Sequence, residues 1–162
     1  MATYTDRNQN EWPVEVVTST IEKVRKRVKD TEDKPVDLLE CVTGTLTGRL
    51  LNDPVLLTKV IWVIIEDYAK TKGLTYDQFA AAHRGEVFDK AFDALMAALA
   101  DFFPLKTGEA LIQITLKVRQ MREKAMEAIV RTMDNAIGQI KPASPMEILS
   151  AAAEVLSTEP GN

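Results

Sequence analysis

Few residues in this chain are of a type suited to chemistry. His83 is the only histidine and Cys41 the only cysteine. A histidine-rich metal site is therefore excluded, and a Cys–His dyad requires the fold to bring these two together. Cys41 sits among Leu39, Glu40 and Val42 on an expected helix, a setting for a buried, inert thiol rather than a nucleophile. Glu66 and Asp67 are adjacent carboxylates that could join Asp77 around a cation, although the solvated end of a helix is the simpler reading. Lys23, Arg25, Lys26, Arg27 and Lys29 form a basic run able to touch phosphate. The run is short and is followed by Asp30, Glu32 and Asp33, so it reads as a solvated face. The sequence holds no glycine-rich phosphate loop, no G-x-S-x-G elbow and no calcium loop. These residues point to no enzyme, no cofactor and no metal, and hence to binding.

The elements that must position a binding surface follow from composition and pattern. At 162 residues, 46% hydrophobic and 27% charged, the chain can bury one proper core. A formal charge of −4 gives no electrostatic reason to expect nucleic acid, which favours a basic face. A lone cysteine fits a reducing compartment, and the start Met1-Ala2-Thr3-Tyr4-Thr5-Asp6 lacks the basic and apolar regions of a signal peptide. The most apolar run, Val60 to Ile65, is far shorter than the ~20 residues needed to span a bilayer. A cytoplasmic protein with no membrane contact is expected.

Thr3, Tyr4 and Thr5 are β-prone, as are Trp12, Val14, Val16 and Val17. The polar stretch Asp6 to Asn10 between them is rich in turn formers. Trp12, Val14 and Val16 alternate with Pro13, Glu15 and Val17, which predicts a hairpin with Pro13 at a sheet edge. Two strands alone are marginal in water, so the hairpin either lies on its own helices or pairs with another copy. From Thr18 onward the pattern is helical. Ser19 and Glu22 have the spacing of a capping box ahead of Ile21, Val24 and Val28. Pro35 is expected to open a second helix through Leu38, Leu39, Val42, Leu46 and Leu50, weakened by Gly44 and Gly48. Asp53-Pro54 caps the core helix, apolar almost all round from Val55 to Ile65 and closed by Gly73. Thr75 and Gln78 make a second capping box, with Leu74 able to staple onto Phe79, and that short helix stops near Gly85. The next runs from Glu86 to Phe103, buries Phe88, Phe92, Leu95, Met96, Leu99 and Phe102, and is closed by Pro104.

A long helix from Gly108 to Ile140 carries one stripe of Ile114, Val118, Met121, Ala125, Ile129, Met133, Ile137 and Ile140. At a rise of ~1.5 Å per residue it is roughly 45–50 Å long, against a diameter of about 35–40 Å for a compact domain of this size. Either part of the stripe projects and needs a partner, or the helix bends or breaks and packs on its own domain. Lys141-Pro142-Ala143 ends it, Ser144 and Glu147 start a terminal helix with Ile148, Leu149, Ala152, Val155 and Leu156, and the tail from Ser157 is expected to be disordered. The expected fold is mainly α, a helical bundle of about five to seven helices with an N-terminal β-hairpin. Residues 1–105 form the hairpin and compact core, 106–141 the long amphipathic helix, and 142–162 the terminal helix and tail. The candidate partner-binding residues are Ile114, Val118, Met121, Ile129 and Met133 with Ile148 and Leu149. Methionines make such a face adaptable to several helical registers.

The order of these features resembles a known family. Thr3-Tyr4-Thr5-Asp6 precedes a Trp12 strand and the helix Ile21 to Arg25; then come Val36-Asp37-Leu38-Leu39, Asp53-Pro54-Val55-Leu56-Leu57 and Val60-Ile61-Trp62-Val63. Ala69 with Gly73-Leu74-Thr75, Gln78-Phe79, Gly85-Glu86 and Ala100-Asp101-Phe102-Phe103-Pro104 complete the series. Taken together over residues 2 to about 105, they resemble the tail assembly chaperones of bacteriophage and prophage tail-gene clusters. The resemblance implies a non-enzymatic chaperone that binds the tape-measure protein while the tail is built and is absent from the virion. It also implies self-association and, in many such proteins, a longer frameshifted form. Two other classes fit the same sequence: a structural virion component (a tail-completion, connector or minor capsid subunit), and a small helical regulatory adaptor.

Overall fold

The computed structural model describes residues 1–139 and 144–157. The chain divides into two compact units, Met1–Arg122 and Glu123–Asn162. Among the described residues the fold is mainly helical, with seven α-helices, one 3₁₀ helix and an N-terminal antiparallel hairpin.

The hairpin joins β1 (Ala2–Thr5) to β2 (Glu11–Val14), with Tyr4 opposite Trp12 and Thr3 opposite Pro13. One side chain organises its turn. The Asp6 carboxylate accepts from the Asn8 and Asn10 amides at 2.8 and 3.0 Å and from the Trp12 indole N–H at 2.9 Å. The alternation holds: Trp12, Val14 and Val16 are buried while Glu15 and Val17 are exposed. The hairpin lies on its own helices. Trp12 meets Phe79 edge to face, with ring centroids 5.2 Å apart, and both are among the largest fully buried side chains.

Helix α1 (Thr18–Arg27) buries Ile21 and Val24, with Val28 buried just past its end. The expected Ser19–Glu22 capping box does not form, because the helix starts two residues earlier. Val17 is the N-cap, in extended backbone, and makes no side-chain cap bond. The helix expected from Pro35 is also absent as drawn. Val36 N–H instead bonds to the Val28 carbonyl at 3.0 Å, closing a loop whose turn is held by the Asp30 carboxylate on the Glu32 and Lys34 amides. Asp37 then accepts from the Leu39 amide and starts a 3₁₀ helix, Leu38–Thr43, which Gly44 terminates at φ 85°. An l-side chain there would be strained, and its Cβ would sit 3.3 Å from Ile114 Cγ2. Helix α2 (Thr45–Asn52) follows and buries Leu46, Leu50 and Leu51. A local cap and a left-handed glycine thus override a periodicity that is continuous in sequence.

The remaining punctuation behaves as its chemistry requires. Asp53 accepts from the Leu56 amide at 2.9 Å, and Pro54 occupies the first turn of α3 (Pro54–Thr71). Gly73, at φ 69°, ends that helix through Gly73 N–H to Lys70 O and Leu74 N–H to Ala69 O, a paired C-terminal cap. The Thr75–Gln78 capping box opens α4 (Tyr76–Ala82). Helix α5 (Glu86–Phe102) buries Phe92, Leu95, Met96 and Leu99, with Phe88 and Phe102 only partly covered. Helix α6 (Leu105–Gln139) begins three residues earlier than expected, because the Pro104 carbonyl accepts the Thr107 and Gly108 amides. Helix α7 (Pro145–Ser157) is opened by a reciprocal Ser144–Glu147 pair. The expectations for Ile140, for Lys141 to Ala143 and for the tail beyond Ser157 lie outside the described residues, as do those for the side chains of Val155 and Leu156. No helix among the described residues is long and apolar enough to cross a membrane.

Candidate functional site

The histidine, the cysteine and most of the charged residues singled out for chemistry have structural employment. His83 is buried, with Nδ1 2.7 Å from the Phe79 carbonyl and Nε2 2.6 Å from the Tyr4 hydroxyl. A carbonyl only accepts, so the geometry assigns the proton to Nδ1, and Tyr4 donates to Nε2. Burial holds the imidazole below its ordinary pKa. It is a neutral clasp between the first strand and the end of α4. Cys41 is buried in the 3₁₀ helix, and desolvation pushes its thiol up to about 12, which suppresses the nucleophilic thiolate.

The basic run and the paired carboxylates answer each other. Arg27 donates two hydrogen bonds to Glu66, and Lys23 lies 2.9 Å from Glu66 and 3.0 Å from Asp67. Hydrogen bonding to Arg27, the largest influence, brings Glu66 down to about 2. Arg25 pairs with Asp37 at 2.7 Å and Lys29 with Asp33 at 2.9 Å. Among the described residues, no group of three or more His, Cys, Asp or Glu is placed to hold a metal ion.

What remains is apolar surface. The expected stripe of α6 is not one surface. Ile114 and Val118 are half-buried in the first unit, where Ile114 approaches Gly44 and Val118 packs against the core. With Gly108, Leu111 and Thr115, which are buried, they form the core-facing side of the helix. Met121, at the end of the same unit, is 64% exposed. In the second unit every described residue from Glu123 to Gln139 is exposed, and so is every one from Ser144 to Glu154. Ile129 and Met133 lie there in the company of Met126, Val130 and Ile137, and Ile148 and Leu149 lie on α7 beside Met146. The spacing Met126, Val130, Met133, Ile137 alternates four and three, a coiled-coil-like seam. Met126 and Val130 belong to it although the expected stripe omitted them; a heptad count, rather than a search for the longest run, finds them.

Sequence reasoning missed a second surface altogether, on the first unit. Helices α5 and α6 form an antiparallel hairpin with a groove of about 820 Å³ along it. Its floor is Met96, Ala97 and Ala100 from α5 with Gly108, Ile112 and Leu116 from α6. At one end the helices touch backbone to backbone, a Cβ on Gly108 falling 2.4 Å from the Ala100 carbonyl oxygen. Towards the other, Arg119 is hydrogen-bonded to Asp93 and lies 5.5 Å over the Phe92 ring. Ile112 and Leu116 are about half exposed, and it is their spacing of four that places them together. Periodicity shows that these residues share a face; only the course of α5 shows that the face is walled. Comparison with protein-family models, with curated proteins and with solved structures finds no match to this chain.

Proposed function

We propose that this protein is a non-enzymatic assembly chaperone of a phage tail, acting in the host cytoplasm by binding the tape-measure protein and associating with further copies of itself. The observation that carries the reading is the run Glu123–Gln139, helical throughout and without a buried residue, yet presenting Met126, Ile129, Val130, Met133 and Ile137 to solvent. An amphipathic helix of that length gains most of its stability from packing its apolar face, so a partner helix is the natural complement. The ordered series of features in residues 2 to about 105 supports tail assembly as the setting, and the structural roles of His83, Cys41 and Glu66 are in keeping with a binding activity.

The test is co-expression with the tape-measure protein encoded beside it. A soluble complex on sizing is expected. Replacing Met121 and Met133 together with Asp is expected to abolish it while leaving the melting transition in place, since both side chains are more than half exposed. Absence of a complex with the unaltered chain, or recovery of the protein from purified virions by mass spectrometry, overturns the chaperone reading, and the latter favours a structural virion component.

A further inference from the structure

We infer that the α5–α6 groove is a docking site for an amphipathic helix whose apolar stripe is bordered by lysine or arginine, and that it works separately from the distal seam of α6. The inference does not depend on who the partner of that seam is.

Three features define the occupant. The first is length. From Gly108 to Arg119 the groove follows ~16 Å of α6, about three helical turns, which suits apolar side chains at i, i+4 and i+7. The second is backbone. Both walls are helices whose amides and carbonyls are already bonded internally, so an extended segment would find no ladder to join. A helix brings its own hydrogen bonds. The third is charge. Asp93, Asp101 and Glu109 line the groove against the single cation Arg119. Arg119 is engaged with Asp93, Asp101 has only the exposed terminal ammonium 3.4 Å away, and Glu109 has no ion-pair partner among the described residues. The uncompensated charge therefore sits at the Asp101–Glu109 end.

This charge also decides against the nearest alternative, the terminal helix of a second copy. Helix α7 is apolar enough, but its charged residues are Glu147 and Glu154, with no lysine or arginine. It would bring like charge to an acidic rim.

The experiment uses the full chain and two labelled 14-residue helical peptides with the same leucine stripe, one flanked by lysines and one by glutamates, read by fluorescence anisotropy. The lysine peptide is expected to bind at least tenfold tighter at low ionic strength, with the margin shrinking as salt is added. Leu116→Asp is expected to weaken it at least tenfold. Glu109→Lys, at an exposed position, leaves two acids against two cations in the lining and is expected to abolish the flank preference without changing the melting temperature, and it decides the matter should Leu116→Asp prove unstable. Equal binding of both peptides, or a preference that Glu109→Lys leaves intact, overturns the inference. Met121→Asp/Met133→Asp is expected to leave peptide binding unchanged. Should that double variant remove both peptide binding and tape-measure capture, the two sites are one and the groove is not separate.

Discussion

Replacing Gly108 with alanine tests the backbone contact on which the α5–α6 hairpin turns. The added Cβ would fall 2.4 Å from the Ala100 carbonyl oxygen and 3.2 Å from its carbon. Ordinary carbon contacts lie near ~3.5 Å, so the helices must separate by about 1 Å. The obstacle is backbone rather than the end of a flexible side chain, and it cannot swing aside. Overpacking of this kind costs about 1–3 kcal/mol. Against it stands the gain of alanine over glycine within a helix, at most ~1 kcal/mol and less here in the first turn. The net expectation is a loss of about 1–2 kcal/mol, a fall in Tm of roughly 2–8 °C for a domain of this size. Urea titration followed by tryptophan fluorescence reports on the right unit, since Trp12 and Trp62 both lie within Met1–Arg122. The midpoint should fall with an unchanged slope. Gly48→Ala is the matched control in the same unit: its Cβ would meet Val118 Cγ1 at 3.8 Å, an ordinary contact, and a gain of at most ~1 kcal/mol is expected. If Gly108→Ala is neutral or stabilising, the helices do not approach as described, and the closed end of the groove is wrong with them.

Three further outcomes follow from the same structure. Because burial depresses the His83 pKa in the fold, the stability it contributes is present above its ordinary pKa of ~6.5 and is lost as pH falls through the lower, folded value; His83→Gln should remove that dependence from melts taken between pH 7 and 5. Glu66, held near 2 by Arg27 and Lys23, contributes stability above its ordinary range that is lost as acid approaches pH 2. Glu66→Gln should cost about 1–3 kcal/mol at pH 7 and converge with the parent in acid, as denaturation at the two pH values will show. Asp53→Ala should cost ~1 kcal/mol by removing the cap on Leu56, whereas Ser19→Ala, at a position that makes no cap bond, should change the urea midpoint little.

Where the fold was legible, a single residue supplied the physics. Asp53, Gly73, Thr75 and Pro104 each control a backbone group a few positions away, so their effects survive without knowledge of tertiary structure. The hairpin was legible for a related reason: the alternation at Trp12, Val14 and Val16 matches the period of a strand. The segment Pro35–Leu50 misled because a run of leucines at helical spacing says nothing of Asp37 starting a tighter helix or Gly44 turning left-handed. The candidate binding surface was legible only in part. Helical spacing groups Ile114 and Val118 with Met121 and Met133, but burial separates them, since α2 covers the first two through Gly44 and Gly48. Glycines on one element admitting side chains from another, some seventy residues later, leave no mark in local pattern.

The clasp between Tyr4 and His83 has a consequence for synthesis on the ribosome. The first strand is made first, yet the groups that hold it, Phe79, His83 and α5, are made late, with only the buried face of α6 to follow in the core. At about 5–20 residues per second, Tyr4 and Trp12 wait roughly 5–20 s for them. During that interval the two-stranded ribbon, marginal by itself, has only α3 to lie on, through contacts such as Trp12 with Tyr68. The nascent chain thus carries an incompletely buried tryptophan until α5 emerges. Any chain that stalls before Phe79 leaves Trp12 without the ring it meets edge to face.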